Sequence, residues 1–204
     1  MSELVVSGKQ LWLLVGGNGA GKSTFHRLFL EPLGLPFVNA DNLAKLIAPD
    51  TPEAHGLEAA LLAEQQRESL LLRGFSFCFE TVYSHPSKVD FVARAKALGY
   101  EVILVLIHLN NASLNQARIV QRISEGGHSV PAEKVIRRIP RLLINVQASL
   151  PLCDQVRLVD NSSSDHPFLP VATIIAGVEQ RHQDPLPPWA LELLKPLGGG
   201  PPSA

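Results

Sequence analysis

The chain is poor in the features that would assign it to a membrane, an oxidising compartment or a nucleic-acid groove. Its 204 residues contain no run of about 18 uncharged apolar residues, the length a helix needs to cross a bilayer. The opening segment MSELVVSGKQ carries an acid early, so a soluble, cytoplasmic protein without a membrane partner is expected. Cysteine is scarce. Cys78 lies in an apolar run and Cys153 beside Asp154, far apart and without metal-ligand spacing, which reads as two free buried thiols in a reducing compartment. Charge of one sign is also missing, with a formal net charge of −1 and a pI near 6.7. With aromatics at only 6% there are few platforms on which bases could stack, so nucleic acid is not expected as a partner. No internal repeat is found, and a hydrophobic fraction of 46% over this length suits one well-buried domain.

What the chain does have is one decisive loop. Gly16, Gly17, Asn18, Gly19, Ala20, Gly21, Lys22, Ser23 and Thr24 spell GGNGAGKST, which satisfies GxxxxGK followed by Ser or Thr and directly follows the apolar run Leu11 to Val15. Glycines without Cβ atoms let several backbone amides converge on one anion. Lys22 can reach the β- and γ-phosphates of a nucleoside triphosphate, and the Ser23 hydroxyl can ligate the Mg2+ that accompanies them. ATP and Mg2+ are therefore the expected cofactors. A glycine turn that binds nothing would not combine strand, loop and lysine in this order.

The remaining pattern alternates strand and helix. Gln10–Val15 reads as a buried strand, 22–30 as a helix stopped by Pro32, Gly34 and Pro36, and 37–39 as a short second strand ending at Asp41. Helices are expected over 41–47 and 52–72, an aromatic strand over 75–82, a helix over 87–98 and a central strand over 100–109. Beyond Asn111, Arg118, Arg122, Arg137, Arg138 and Arg141 gather around Gly126, Gly127 and His128, as a helix, a hinge and a second helix that Pro140 should kink or split. Strands at 156–159, ending in Asp160-Asn161, and at 171–175 follow. Residues 186–194 form a short helix around Trp189, and 198–204 are expected to be disordered. The fold class is α/β, a P-loop NTPase-type parallel sheet with helices on both faces and an Arg-rich helical lid at about 111–147. Residues 1–182 form one kinase-like domain, and 183–204 a Pro/Gly-rich tail.

Asp41 is the first carboxylate after the loop. At a strand end it lies near where a γ-phosphate points, suited to act as general base on an acceptor hydroxyl, and it is equally suited to cap the following helix. Glu80 and Thr81 end the aromatic strand, where they can hold an acceptor's hydroxyls or, for Glu80, stand behind the magnesium. Asp160 is a magnesium candidate by position only. The arginines can neutralise charge on a migrating phosphoryl group, although a solvated basic helix is the usual reading of any single one. His85 and His128 sit in loops without ligand-spaced partners.

The loop, Asn39-Ala40-Asp41, Phe79-Glu80-Thr81 with Ser84-His85-Pro86-Ser87-Lys88, AKALGYEV, Gly126-Gly127-His128-Ser129-Val130-Pro131, Arg137-Arg138 and Asp160-Asn161-Ser162 together resemble the zeta toxin family of P-loop kinases, from about Leu11 to Trp189. The likeness is strongest to its compact, stand-alone members. The resemblance implies transfer of the ATP γ-phosphate to a small-molecule hydroxyl, in the toxins that of a UDP-N-acetyl amino sugar, and it brings in an antitoxin protein as a candidate partner. By the same resemblance Lys22 holds phosphates, Asp41 is the base, Glu80 and Thr81 meet the acceptor, and Arg122 with Arg137 or Arg138 neutralises charge. The toxins place their second catalytic arginine where this chain reads GGHSVP. Two rivals share the loop: a nucleoside or polynucleotide 5′-kinase, and an ATP-dependent switch that phosphorylates no acceptor.

Overall fold

A computed structural model of the chain describes residues 8–110, 114, 118 and 132–195. Seven strands form one sheet in the order β2-β3-β1-β4-β5-β6-β7. They are β1 (Gln10–Gly16), β2 (Phe37–Val38), β3 (Phe77–Thr81), β4 (Glu101–His108), β5 (Gln155–Asp160), β6 (Leu169–Ile175) and β7 (Val178–Arg181). The first five in sequence are mutually parallel. β6 and β7 run antiparallel, so the all-parallel expectation is corrected at this edge, where a two-residue turn at Ala176-Gly177 returns the chain directly with no crossover helix.

The central strands read as continuous apolar runs because both of their faces are covered. Alternate residues of β1 serve two cores. Leu11, Leu13 and Val15 join Phe77, Phe79, Leu104 and Leu106 on one face, and Trp12 and Leu14 join Cys78, Ile103, Val105 and Ile107 on the other. The first core is covered by α3 (Gly56–Leu72), α4 (Ser87–Ala97), α5 (Ala132–Ser149) and α6 (Pro188–Leu194). The second lies under α1 (Lys22–Phe25), whose expected α-helical course to residue 30 becomes a π-helical turn over His26–Leu30. A further helix, α2 (Ala40–Ile47), packs on α3.

β1 has β3 on one side and β4 on the other. The connection leaving β1 runs to β2 at one edge, and the one leaving its neighbour β3 runs the opposite way, across β1 to β4, so the loop after β1 opens at the point where the winding reverses, the usual seat of ligands in open α/β sheets. Pro140 does not split α5, which is continuous over Ala132–Ser149. The hinge expected at Gly126-Gly127 and the disorder expected over 198–204 concern positions outside the described residues. Among the described residues no helix is long and apolar enough to cross a membrane.

The end of α3 is tied down by one hydroxyl. Tyr100, 2% exposed, points its phenol at the carbonyls of Leu70, Leu71 and Phe75, at 3.2, 3.0 and 3.0 Å. Two of these are last-turn carbonyls that also accept amides from beyond the helix, Leu70 from Phe75 and Leu71 from Gly74. Tyr100→Phe is expected to cost about 0.5–1.5 kcal/mol, because a buried hydrogen bond is lost while the carbonyls of Leu70 and Leu71 keep their backbone donors and the ring packing stays. The shift in urea midpoint at unchanged m-value measures it.

Candidate active site

The phosphate-type loop closes tightly because glycines stand where a side chain would collide. A Cβ on Gly16 would lie 2.3 Å from the Ile107 carbonyl oxygen, so β1 and β4 approach there too closely for any other residue. Gly21 has φ +97°, and a Cβ there would meet Asn161 Nδ2 at 2.5 Å. That amide is a clamp: Asn161 Nδ2 donates to the Ala20 carbonyl at 2.9 Å, and Asn161 Oδ1 accepts from the Phe168 amide at 3.2 Å. The end of β5 therefore holds the loop after β1.

Lys22 is 7% exposed, and its ammonium donates to the Gly17 carbonyl at 3.0 Å and lies 3.6 Å from Glu80 Oε1. The other carboxylate oxygen of Glu80 accepts from Ser23 Oγ at 3.0 Å and from Asn39 Nδ2 at 2.8 Å. Strand register sets these distances, since Glu80 on β3 stands opposite Leu14 on β1, two residues before the loop. Of the two roles considered for Glu80, the contacts with Ser23 and Lys22 favour the magnesium side.

Asn39 uses its other end to build the next wall. Its Oδ1 accepts from the amides of Asp41 and Asn42 at 2.7 and 3.1 Å, so Asn39 is the N-cap of α2. This corrects the alternative role for Asp41, which is not the cap. It also moves Asp41 from the end of β2, which closes at Val38, into the first turn of α2, with its side chain free to serve a cavity.

Two cavities meet at the loop. One, of about 350 Å³, is lined by Gly19, Gly21, Ser23, Thr24, Arg118 and the 161–168 segment through Asn161, Ser163, Ser164, Pro167 and Phe168. The other, of about 470 Å³, is lined by Asn18, Asn39, Asp41, Thr81, His85, Arg67, Lys88 and Arg138. Lys22 and Glu80 belong to the walls of both.

The sequence-derived candidates thus divide. Lys22, Ser23, Asp41, Glu80 and Thr81 come together, although the Thr81 hydroxyl also accepts from the Tyr83 amide at 3.1 Å and shapes the turn after β3. Arg138 joins them, with Nη1 3.3 Å from Asn18 Oδ1. Arg137 lines neither cavity and pairs with Glu133 at 3.3 Å on the exposed face of α5. Arg122 lies outside the described residues, as does His128. Asp160 is turned away: it accepts from the Ser162 amide at 2.7 Å and lines neither cavity. Cys78 is buried and Cys153 partly so, both free, and burial raises both thiol pKa values, Cys153 to about 12, which disfavours thiolate chemistry. Among the described residues no cluster of His, Cys, Asp and Glu is arranged to hold a metal ion.

Sequence reasoning missed Phe168, Ser163 and Ser164 as wall residues, since a polar loop after a strand carries no pattern. The Asn161 clamp and the Asn39 cap were open to inference from a strand-end Asn and an Asn two residues before Asp41. Arg67 was not singled out, and Lys88 entered only as the last residue of the Ser84–Lys88 motif, without a role.

Comparison with known proteins agrees with this architecture. A protein of Haemophilus influenzae with no assigned function is 29% identical over 136 residues, covering 63% of this chain and 96% of that one. The structure of the PezAT chromosomal toxin–antitoxin system of Streptococcus pneumoniae superposes with a TM-score of 0.64 at 18% identity, over 96% of this chain and 81% of that chain. A chain of the AvrRxo1-ORF1:-ORF2 complex with ATP superposes with a TM-score of 0.61 at 16% identity, over 86% of this chain, which spans 61% of the AvrRxo1 chain. At these identities the structural likeness is one of fold, a P-loop kinase fold. The zeta toxin profile matches residues 6–166, most of the sequence, the whole lining of the second cavity and all of the first but Pro167 and Phe168, and the chain belongs to the zeta toxin family.

Proposed function

We propose that this protein is an ATP-dependent small-molecule kinase. The single observation that carries the reading is that two separate cavities share Lys22 and Glu80 in their walls, with Asp41 in only one of them. A nucleotide switch needs the first cavity alone. A phosphotransferase needs a second reactant beside the terminal phosphate, with a base next to it.

In this reading the loop Gly16–Thr24 holds the phosphates of ATP through its amides, and Arg118 and Phe168 lie on the nucleotide side. Lys22 bears on the β- and γ-phosphates. Ser23 Oγ and the Glu80 carboxylate, 3.0 Å apart, are hard oxygen donors that suit Mg2+, which when bound supplies charge neutralisation on the phosphate oxygens. Asp41 takes the proton from the acceptor hydroxyl as its oxygen attacks the γ-phosphorus. The bond from that phosphorus to the bridging oxygen breaks, and ADP leaves. Arg138 meets the charge that develops on the transferred group, with Arg137 and Arg122 as the further arginines of a lid over about 111–147. Thr81 and Glu80 flank the acceptor. The catalytic domain expected over residues 1–182 extends through α6, whose Trp189, Ala190 and Leu193 pack in its first core, so the tail does not begin at residue 183. The acceptor suggested by family membership is a UDP-N-acetyl amino sugar, and likeness to a toxin–antitoxin system supports an antitoxin-like protein partner.

Incubation with γ-labelled ATP and a panel of UDP-sugars, nucleosides and metabolite extract is expected to give one labelled product besides free phosphate. Asp41→Asn should lower kcat by about 10²–10⁴ while ATP affinity holds, and Lys22→Ala should abolish both. Full activity in Asp41→Asn would leave only the switch. Gly21→Ala, which forces a Cβ against Asn161, should weaken binding of a fluorescent ATP analogue by about tenfold or more, as titration at equilibrium would show.

A further inference from the structure

The second cavity contains a cation that the protein itself does not satisfy. Arg67 lies in the buried row Ala59, Ala63, Arg67, Leu71 of α3, a spacing of four that keeps one helix face against the core. It is 6% exposed and lines the cavity. Its guanidinium carbon is 5.1 Å from the Phe79 ring centroid and 5.8 Å from that of Phe91. Among the described residues it makes no hydrogen bond or ion pair, and its Nε is the buried side-chain atom left without a partner. The neighbouring acids do not fill the gap. Glu68 is engaged by both terminal nitrogens of Arg94 at 2.8 and 2.6 Å, and Glu64 is solvent-exposed.

Lys88 lies in the same wall, half-buried. Burial first, then the charge of Arg67, lowers its pKa, with Glu64 and Glu68 opposing; burial likewise lowers that of Arg67 against the same two acids. The same wall carries Asp41, the exposed Glu64 and the apolar Leu57, Ala60 and Leu61. The cavity therefore combines a base, a cationic pair with one exposed acid, and an apolar side. A guanidinium fork of this kind is matched by a phosphate or a carboxylate, which can accept two parallel N–H bonds.

We propose that Arg67 and Lys88 form an anion subsite in the acceptor cavity, so that the acceptor is a hydroxyl compound carrying its own phosphate or carboxylate. A neutral sugar or nucleoside would leave the pair unmatched. The identity of this ligand as the phosphate acceptor rests on the kinase reading above; the anion subsite itself does not.

Two arms separate the claims. The binding arm uses the Lys22→Ala protein, which removes the loop's own affinity for phosphate, and titrates pyrophosphate and citrate by calorimetry. Adding Arg67→Met or Lys88→Met should weaken the preferred probe by about tenfold or more, and which probe is preferred distinguishes phosphate from carboxylate. No binding of either probe, or binding indifferent to both substitutions, overturns the proposal. Lys88→Met, at a half-buried position, keeps the test open should Arg67→Met fail to fold, which its melting curve would reveal.

The catalytic arm compares matched acceptors in the unmodified protein: N-acetylglucosamine against its 1-phosphate and UDP derivative, and glycerol against glycerate and glycerol 3-phosphate. The anionic partner of a pair should have a KM at least about tenfold lower, and Arg67→Met should raise that KM with little change in kcat, the signature of lost uniform binding. Equal use of a neutral acceptor overturns the anion subsite and leaves the kinase intact. A positive binding arm with no acceptor phosphorylated leaves the subsite and removes the kinase.

Discussion

The contact between Lys22 and Glu80 is the constraint on which the rest of the site depends. Two opposite charges, 7% and 8% exposed at their side chains, sit 3.6 Å apart at the seam between β1 and β3. Taking such a pair out of water is costly unless further hydrogen bonds satisfy both ends. Here they do: Gly17 receives the ammonium, and Ser23 and Asn39 supply the carboxylate. The same bonds join the phosphate-type loop, the carboxyl end of β3 and the N-terminus of α2 in one network. A one-residue slip of β3 against β1 would turn Glu80 to the opposite face and break all three links, so sheet register is a condition of the chemistry as well as of the fold.

How the chain discloses this varies with the kind of signal. The loop was fully legible, because its chemistry requires fixed residue types at fixed spacing immediately after a strand. The parallel core was legible from apolar runs without alternation. The antiparallel edge was not, since an apolar pattern marks a strand without giving its direction, and only the Ala176-Gly177 turn between β6 and β7 carries a hint. Asp41 was located as a candidate with two compatible roles, base or cap; the cap falls to Asn39, two positions earlier and in extended backbone just before the helix, and the Asp41 carboxylate is left to the cavity. Among the arginines, sequence grouped Arg137 and Arg138 as alternatives, and neighbouring positions on a helix point about 100° apart. The fold turns one toward Asn18 and the other toward Glu133.

The wall formed by residues 161–168 illustrates a different limit. Its members are united by position, at the end of β5, and by one asparagine that bonds both the loop and the Phe168 amide. Phe168 stacks edge-on with Phe25 and Phe29 on the helical turn that follows the loop, with ring centroids 5.4 and 5.8 Å apart. The first cavity's wall and the loop are therefore braced twice, once by a side-chain amide and once by aromatic edges. The second cavity has no comparable brace from the 161–168 segment; its floor is α2, α3 and the turn after β3, where Tyr83 holds a positive φ of 61° and is anchored to α5 by its hydroxyl on Ser149 at 2.7 Å and its carbonyl on Asn145 at 2.8 Å. The two cavities thus share the Lys22–Glu80 wall and are otherwise buttressed by different parts of the chain.

The weights at Arg67 argue that its position answers to something other than stability. Its two ring contacts contribute about 0.5–2 kcal/mol. A buried, unpartnered nitrogen costs about 1–3 kcal/mol, and the desolvation of the charge adds to that. In the row Ala59, Ala63, Arg67, Leu71, a leucine or methionine would pack on Phe79 and Phe91 without either cost. Helix α3 instead directs a guanidinium, the side chain least able to shed its proton, into the cavity that contains Asp41. A group that burdens the protein alone and is matched only by an incoming anion is best understood as one whose partner arrives with the substrate.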